Sequence, residues 1–185
     1  GVKGLLGGLF GFDESGTYLS PAPLYHSAPA GFSVTAQALG GTVVVLEHFD
    51  PVTALEAIER HHVTHSQWVP THFVRLLKLP PNVRACYDVS SLKVALHAAA
   101  PCPVEVKRQM MDWWGPVLYE GYSSTEGNGA TFIGPTEWLR KPGSVGKARG
   151  DNEIVILDDD GNALPAGEIG TVHSTARGGF EYFKD

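Results

Sequence analysis

Apolar and polar residues fall in blocks along this chain, and the blocks alternate between strand-like and helix-like spacing. Thr42 to Leu46 is a β-branched run of the kind that forms a buried strand. Asp50-Pro51 follows, an acid placed to cap a helix and a proline suited to its first turn. Val52, Leu55 and Ile58, with Ala54 and Ala57 beside them, give that helix one apolar face. His65–Val69 predicts a short strand, and Pro70 opens a helix with Phe73, Leu76 and Leu77 turned inward until Pro80-Pro81 closes it. Leu92–Ala98 predicts another strand. Pro103 then starts a helix with Val106, Met110 and Trp113 on one face, Gly115-Pro116 ends it, and Val117-Leu118 lead into the next strand.

Upstream, the spacing predicts a helix over 28–39 stopped by Gly40-Gly41, preceded by an extended run from Tyr18 to His26 that contains Pro21 and Pro23. Gly4 to Phe12 is glycine-rich but lacks the Gly-Lys-Ser/Thr ending of a phosphate loop, so it is expected to be a flexible entry segment. Alternating strands and helices predict an α/β fold, a largely parallel sheet with helices on its faces and right-handed crossovers. The texture changes after Gly143. Glu153–Leu157 and Ile169–Ser174 flank the turn Asp158–Asn162, a hairpin pattern without a helix. The expected division is therefore an α/β subdomain over 1–142 and the start of a β-rich, barrel-like subdomain over 143–185.

Composition narrows the classes. With 43% hydrophobic and 18% charged residues the 185-residue chain is globular and large enough to bury a core. Its formal charge of −6 and lack of a basic run argue against nucleic acid as a partner. No apolar run approaches the roughly 18 residues of a membrane-spanning helix. Cys86 and Cys102 lack CxxC spacing, and a reduced, cytoplasmic setting is expected, with peripheral membrane contact left open. The chain opens on Gly1 without methionine, which reads as a central piece of a longer protein. Its cut sheet edges are then expected to be apolar and to favour dimers or disordered termini.

The chemistry concentrates in Tyr119–Gly127, where Tyr122, Ser123, Ser124, Thr125 and Glu126 bring an aromatic face, hydroxyls and a carboxylate to the end of a strand. Gly121-Tyr122-Ser123-Ser124-Thr125 is close to a nucleophile elbow, but Thr125 stands where the second glycine belongs and would crowd the turn. His61, His62 and His65 lack the further ligands of a closed zinc site and read as solvated histidines near a helix end. His97 to Pro103 leaves a strand through three alanines, which suits either close approach of a flat ring or tight helix packing. His26 ends a proline-rich loop just before a helix, where a polar ligand group would be useful.

Four stretches in order, Ser20-Pro21-Ala22-Pro23-Leu24-Tyr25-His26, Ala98-Ala99-Ala100-Pro101, Tyr122-Ser123-Ser124-Thr125-Glu126-Gly127 and Gly167-Glu168-Ile169-Gly170, resemble the adenylate-forming superfamily, and most closely its fatty acyl-CoA synthetases. Pro142–Lys147 resembles that family's linker into its β-barrel-like subdomain. The resemblance implies a two-step acid–CoA ligation using ATP, Mg2+ and coenzyme A, with a small carboxylate, expected to be a fatty acid, as substrate. It places Tyr122 against adenine, with Ala99, Ala100 and Pro101 on the adenine side and Gly121, Ser123 and Ser124 in the same loop. Glu120 falls near the adenine amino group, Thr125 at the α-phosphate and Glu126 on the metal. His26 falls near the acyl carboxylate, and Trp68, Val69 and Pro70 could line the acyl tunnel. The family usually has glycine after this tyrosine, where Ser123 stands here. Its pyrophosphate-gripping loop, its ribose-binding aspartate and its catalytic lysine have no counterpart in the chain, so the piece alone is expected to be nearly inactive. Other readings are a ligase for an aryl, bile or amino acid of the same superfamily, and a nucleotide-binding domain without turnover.

Overall fold

The computed structural model describes residues 2–125, 129–148 and 152–175. Seven strands form one sheet: β1 (Thr17–Ser20), β2 (Thr42–Val45), β3 (His65–Trp68), β4 (Val94–His97), β5 (Leu118–Ser123), β6 (Ala130–Ile133) and β7 (Lys147–Ala148), in spatial order β2-β1-β3-β4-β5-β6-β7. The first five are parallel, and β6 and β7 extend the sheet antiparallel. A separate two-stranded sheet pairs β8 (Ile154–Leu157) with β9 (Thr171–Ser174). The α/β, mostly parallel expectation thus matches the fold. The hairpin is present, while β7, beyond residue 143, joins the large sheet.

The helices are α1 (Ser27–Ala38), α2 (Pro51–His61), α3 (Pro70–Leu77), α4 (Pro81–Arg84), α5 (Val104–Trp114) and α6 (Pro135–Arg140). Strand alternation sorts side chains onto two faces. Leu19, Trp68, Ala95 and Leu118 enter a core with Leu55 and Ile58 of α2, Phe73 and Leu76 of α3, and Met110 and Trp114 of α5. Tyr18, Val94, Leu96 and Tyr119 face the other way, toward Phe32 and Ala36 of α1.

Three expectations are corrected here. Gly4–Leu9 is a π-helical stretch rather than a flexible entry, because Leu6, Phe10 and Phe12 are buried in the second core and Phe10 packs edge-on to Tyr119 at 5.1 Å. β2 is an edge strand with Thr42 and Val45 exposed, so its β-branched run is not doubly buried. The inward face of α5 is Lys107, Met110, Met111 and Trp114, one position round from Val106 and Trp113, which are only partly buried.

Helix α2 begins as its sequence dictates. Asp50 Oδ1 accepts from the Val52 and Thr53 amides, both at 3.0 Å, and Pro51 fills the first turn. These hydrogen bonds, the Thr53 amide first, hold the Asp50 carboxyl below its ordinary range. Asp50→Ala is expected to lower unfolding free energy by about 1 kcal/mol at pH 7. A carboxyl with a depressed folded pKa contributes fully above its unfolded value, about pH 4, and loses that contribution as pH falls through the folded value. Urea melts of the two proteins should therefore converge on acidification.

Candidate functional site

Register sets the site. Trp68 pairs with His97, and His97 with Glu120, so β3, β4 and β5 carry these side chains at one height on one face. Beyond that row the strands run out. β3 passes into Val69-Pro70, β4 into Ala98–Pro101, and β5 ends on Tyr122 and Ser123 and passes into Ser124-Thr125, all at the carboxyl end of the parallel strands. The strand order 2-1-3-4-5 reverses direction at β1 and β3, and ligands of such sheets sit outside the strand carboxyl ends near that point. His26 and Ser27 arrive there on the β1–α1 connection.

The row is buried and the rim above it is open. Trp68 and His97 are 0% exposed and Glu120 is 6%. Ala99, Ala100, Pro101, Ser123, Ser124 and Thr125 are exposed, and Tyr122 is 48% exposed. Two clefts border Tyr122. One of about 320 Å³ is lined by Tyr122, Ser124, Ile154, Val172 and His173, and another of about 520 Å³ by Tyr122, Thr131, Val145, Ile156 and Val172. A half-exposed aromatic ring between clefts can receive a flat heterocycle.

Beneath the rim lies a charged floor. Lys107 Nζ donates to Glu120 Oε2 at 2.8 Å, and the same oxygen is 3.6 Å from His97 Nε2. The ammonium also stands 4.7 Å over the Trp138 ring. Burial pushes the Lys107 pKa down, and the hydrogen bond to Glu120 opposes that. His97 is driven down to about 3, first by burial and then by the Lys107 ammonium, and neither of its ring nitrogens has a hydrogen-bond partner.

The predicted residues divide between rim and core. Thr125 Oγ1 lies 3.4 Å from Ser27 Oγ, which links the β5 loop to the start of α1. His26, one residue away, occupies the cap position of α1 without a side-chain cap bond, its exposed ring 4.5 Å from that of Tyr25. Ala99 sits at φ +73°, a left-handed conformation unusual for a residue with a Cβ. Gly121 has no room for a side chain, since a Cβ would come 2.9 Å from the Phe132 ring. Trp68 is a core residue, its ring edge-on to Trp114 at 5.2 Å and its Nε1 donating to Ser66 Oγ at 2.6 Å. Pro70 is buried and Val69 partly so, at the head of α3. Glu120, expected beside the adenine amino group, directs its carboxylate to Lys107. Glu126 and Gly127 lie outside the described residues.

His65 corrects another expectation. It is buried, with Nε2 donating to the Phe10 carbonyl at 2.9 Å and Nδ1 2.8 Å from Thr64 Oγ1, whereas His61 and His62 are exposed at the end of α2. Among the described residues no group of three or more His, Cys, Asp or Glu could hold a metal. None of the described helices is long and apolar enough to cross a membrane. Sequence reasoning missed Lys107 and Ser27. Lys107 left one signal, a charge on the apolar stripe shared with Met110, Met111 and Trp114.

Comparison with known proteins bears on the family and the fold. Residues 3–180 match a family described as "AMP-binding enzyme". The chain is 33% identical over 145 residues to 4-coumarate–CoA ligase-like 8 of Arabidopsis thaliana, covering 77% of this chain and 26% of that protein. It is 31% identical over 152 residues to a long-chain-fatty-acid–CoA ligase of Bacillus subtilis (strain 168), covering 80% and 26%. Among solved structures, ATP-bound MatB from Rhodopseudomonas palustris superposes with a TM-score of 0.77 at 25% identity, covering 94% of this chain and 34% of that one. The chain thus spans about a quarter of the length of these two curated relatives.

The buried histidines give a pH test. His97 is pushed to about 3 and His72 to about 4, both chiefly by burial, so both are neutral in the folded protein at pH 5 to 8. In the unfolded chain they take up protons below about pH 6.5. Their neutral burial therefore supports stability fully above that pH, and the support fades as pH falls toward 4 and 3. The urea midpoint is expected to drop between pH 7.5 and 5, with no titration of the His97 imidazole signals by NMR. An imidazole that titrates near 6.5 would contradict the buried placement.

Proposed function

The chain belongs to the AMP-binding enzyme family, with the match running over residues 3–180, and from that premise we propose that it carries the adenine and acyl sides of the site of an ATP-dependent acid–CoA ligase, with a fatty acid as the acid. The observation that carries this reading is convergence. His26 and Ser27, Ala99–Pro101, and Tyr122–Thr125 bring three separate segments to one end of the parallel sheet, and Ser27 and Thr125 meet there at 3.4 Å.

The first step brings two anions together. A carboxylate oxygen attacks the α-phosphorus of ATP, a P–O bond forms, and the bond to pyrophosphate breaks, leaving an acyl-adenylate. The thiolate of coenzyme A then attacks the acyl carbon and AMP leaves. In this reading Tyr122 presents its exposed face to adenine and the small Ala99, Ala100 and Pro101 leave room on the other side. Gly121, Ser123 and Ser124 shape the loop. The Thr125 hydroxyl donates to the α-phosphate, a donor aimed at oxygen on which charge builds. His26 stands beside the incoming carboxylate, and Val69 and Pro70 form the base of the acyl pocket with Trp68 packed behind them. Mg2+ would be held by Glu126 together with phosphate oxygens, which suits an ion bound through one or two carboxylates, and it would offset phosphate charge.

An aryl acid is the second reading, favoured by the 33% identity to a 4-coumarate–CoA ligase-like protein. The full-length protein carrying this chain should support carboxylate-dependent ATP–pyrophosphate exchange, greatest with fatty acids. Exchange with aryl acids alone would favour the second reading, and AMP binding without exchange for any carboxylate would leave a nucleotide-binding domain. Glu126→Ala is expected to lower exchange by about 100-fold or more while leaving the melting temperature unchanged. Unaltered exchange in that variant would remove Glu126 from the metal.

A further inference from the structure

Six residues, Ala98 to Pro103, join β4 to α5 and carry the alanines placed at the adenine. Both ends of this turn lie near one carboxylate oxygen, and the α5 end is the one bonded to it. His97, the last residue of β4, brings Nε2 to 3.6 Å from Glu120 Oε2, and Lys107, one turn into α5, donates to the same oxygen at 2.8 Å. The turn itself is lightly held. Its amide at Ala98 donates to the Trp68 carbonyl at a long 3.3 Å, and Ala99 adopts φ +73°. A non-glycine residue keeps such a backbone only where its surroundings impose it.

Lys107 is an unusual means of packing α5 on the sheet. It is 0% exposed on a stripe otherwise made of Met110, Met111 and Trp114, where an apolar side chain of similar size would pack without burying a charge. What an apolar residue could not do is bond the carboxylate at the root of β5, two residues before Tyr122. The groups facing that carboxylate are Lys107 from α5, His97 from β4 and Cys102 from the turn, and α6 contributes the uncharged Trp138 ring, 4.7 Å from the ammonium.

We infer that Lys107 is a positioning residue for the nucleotide: through Glu120 it ties the α5 end of the Ala98–Pro103 turn to β5 and fixes the spacing between that turn and Tyr122. The inference rests on the ligase reading above. It gives Glu120 a role beneath the base pocket and assigns the lysine a function in binding the base, with no contact to the reacting atoms.

Two variants of the full-length protein test it. Lys107→Met breaks this tie and leaves the carboxylate without its counter-charge. Lys107→Met/Glu120→Gln also breaks the tie but removes the uncompensated charge. The expected result is separation of stability from binding. The double variant regains most of the melting temperature lost in the single variant, yet in both the KM for ATP rises about tenfold with a smaller change in kcat, and AMP binds correspondingly more weakly by calorimetry. Return of KM and AMP affinity together with stability in the double variant would make the pair merely structural and overturn the assignment. Wild-type KM in Lys107→Met would also overturn it, as would failure of both variants to fold, since the pair would then be a folding determinant. Absence of exchange in the unmodified protein sinks the ligase reading instead, and the AMP titrations still report on the tie.

Discussion

Placing a lysine ammonium where no water reaches it is the most demanding contact in this fold. An unpaired buried charge would cost several kcal/mol, so the sheet and the helices over it must meet in the one arrangement that supplies a carboxylate on one side and an aromatic face on the other. Glu120 provides the first from β5 and Trp138 the second from α6. Trp68, Phe73 and Trp114 pack against one another in the adjoining core, and Phe73 closes against His97 edge-on at 5.4 Å. Helix α5, strand β5 and helix α6 are thereby set relative to one another at a depth just below the rim.

That arrangement explains the contrast between floor and rim. The strand row Trp68–His97–Glu120 is dry, whereas Ala99–Pro101 and Tyr122–Thr125, two residues further along, are exposed. A parallel sheet puts every strand carboxyl end on one side, so the connections that leave those ends form a single surface from segments far apart in sequence. Ser27 and Thr125, 98 positions apart, are within 3.4 Å as a result.

Much of this was legible in the chain. Asp50-Pro51 announced α2 down to its cap, because capping is a local interaction between neighbouring residues. The alternation of β-branched runs with amphipathic segments announced the parallel sheet, and the order of Pro-Leu-Tyr-His, Ala-Ala-Ala-Pro and Tyr-Ser-Ser-Thr pointed to the rim. What was missed depended on distant partners. Gly4–Leu9 looks flexible until Leu6, Phe10 and Phe12 find the sheet face. His65 looks like a solvated histidine until it finds the Phe10 carbonyl 55 residues away. β7 is only two residues long and β6 stands outside the strand–helix alternation that announced the parallel strands, and Gly146 acquires its reason from β6, where a Cβ would strike the Phe132 carbonyl. Lys107 reads as a surface charge until Glu120 is placed beside it.

The strand order has a consequence for diversification. Each rim connection is anchored by a strand buried within the sheet, so a side chain on one connection can change without disturbing the packing beneath the others. Substitutions at rim positions that do not touch tend to act independently, whereas a contacting pair such as Ser27 and Thr125 is expected to couple. A fold wired in this way can exchange one acid for another by editing loops, while the hydrophobic layers that determine whether it folds are left as they were.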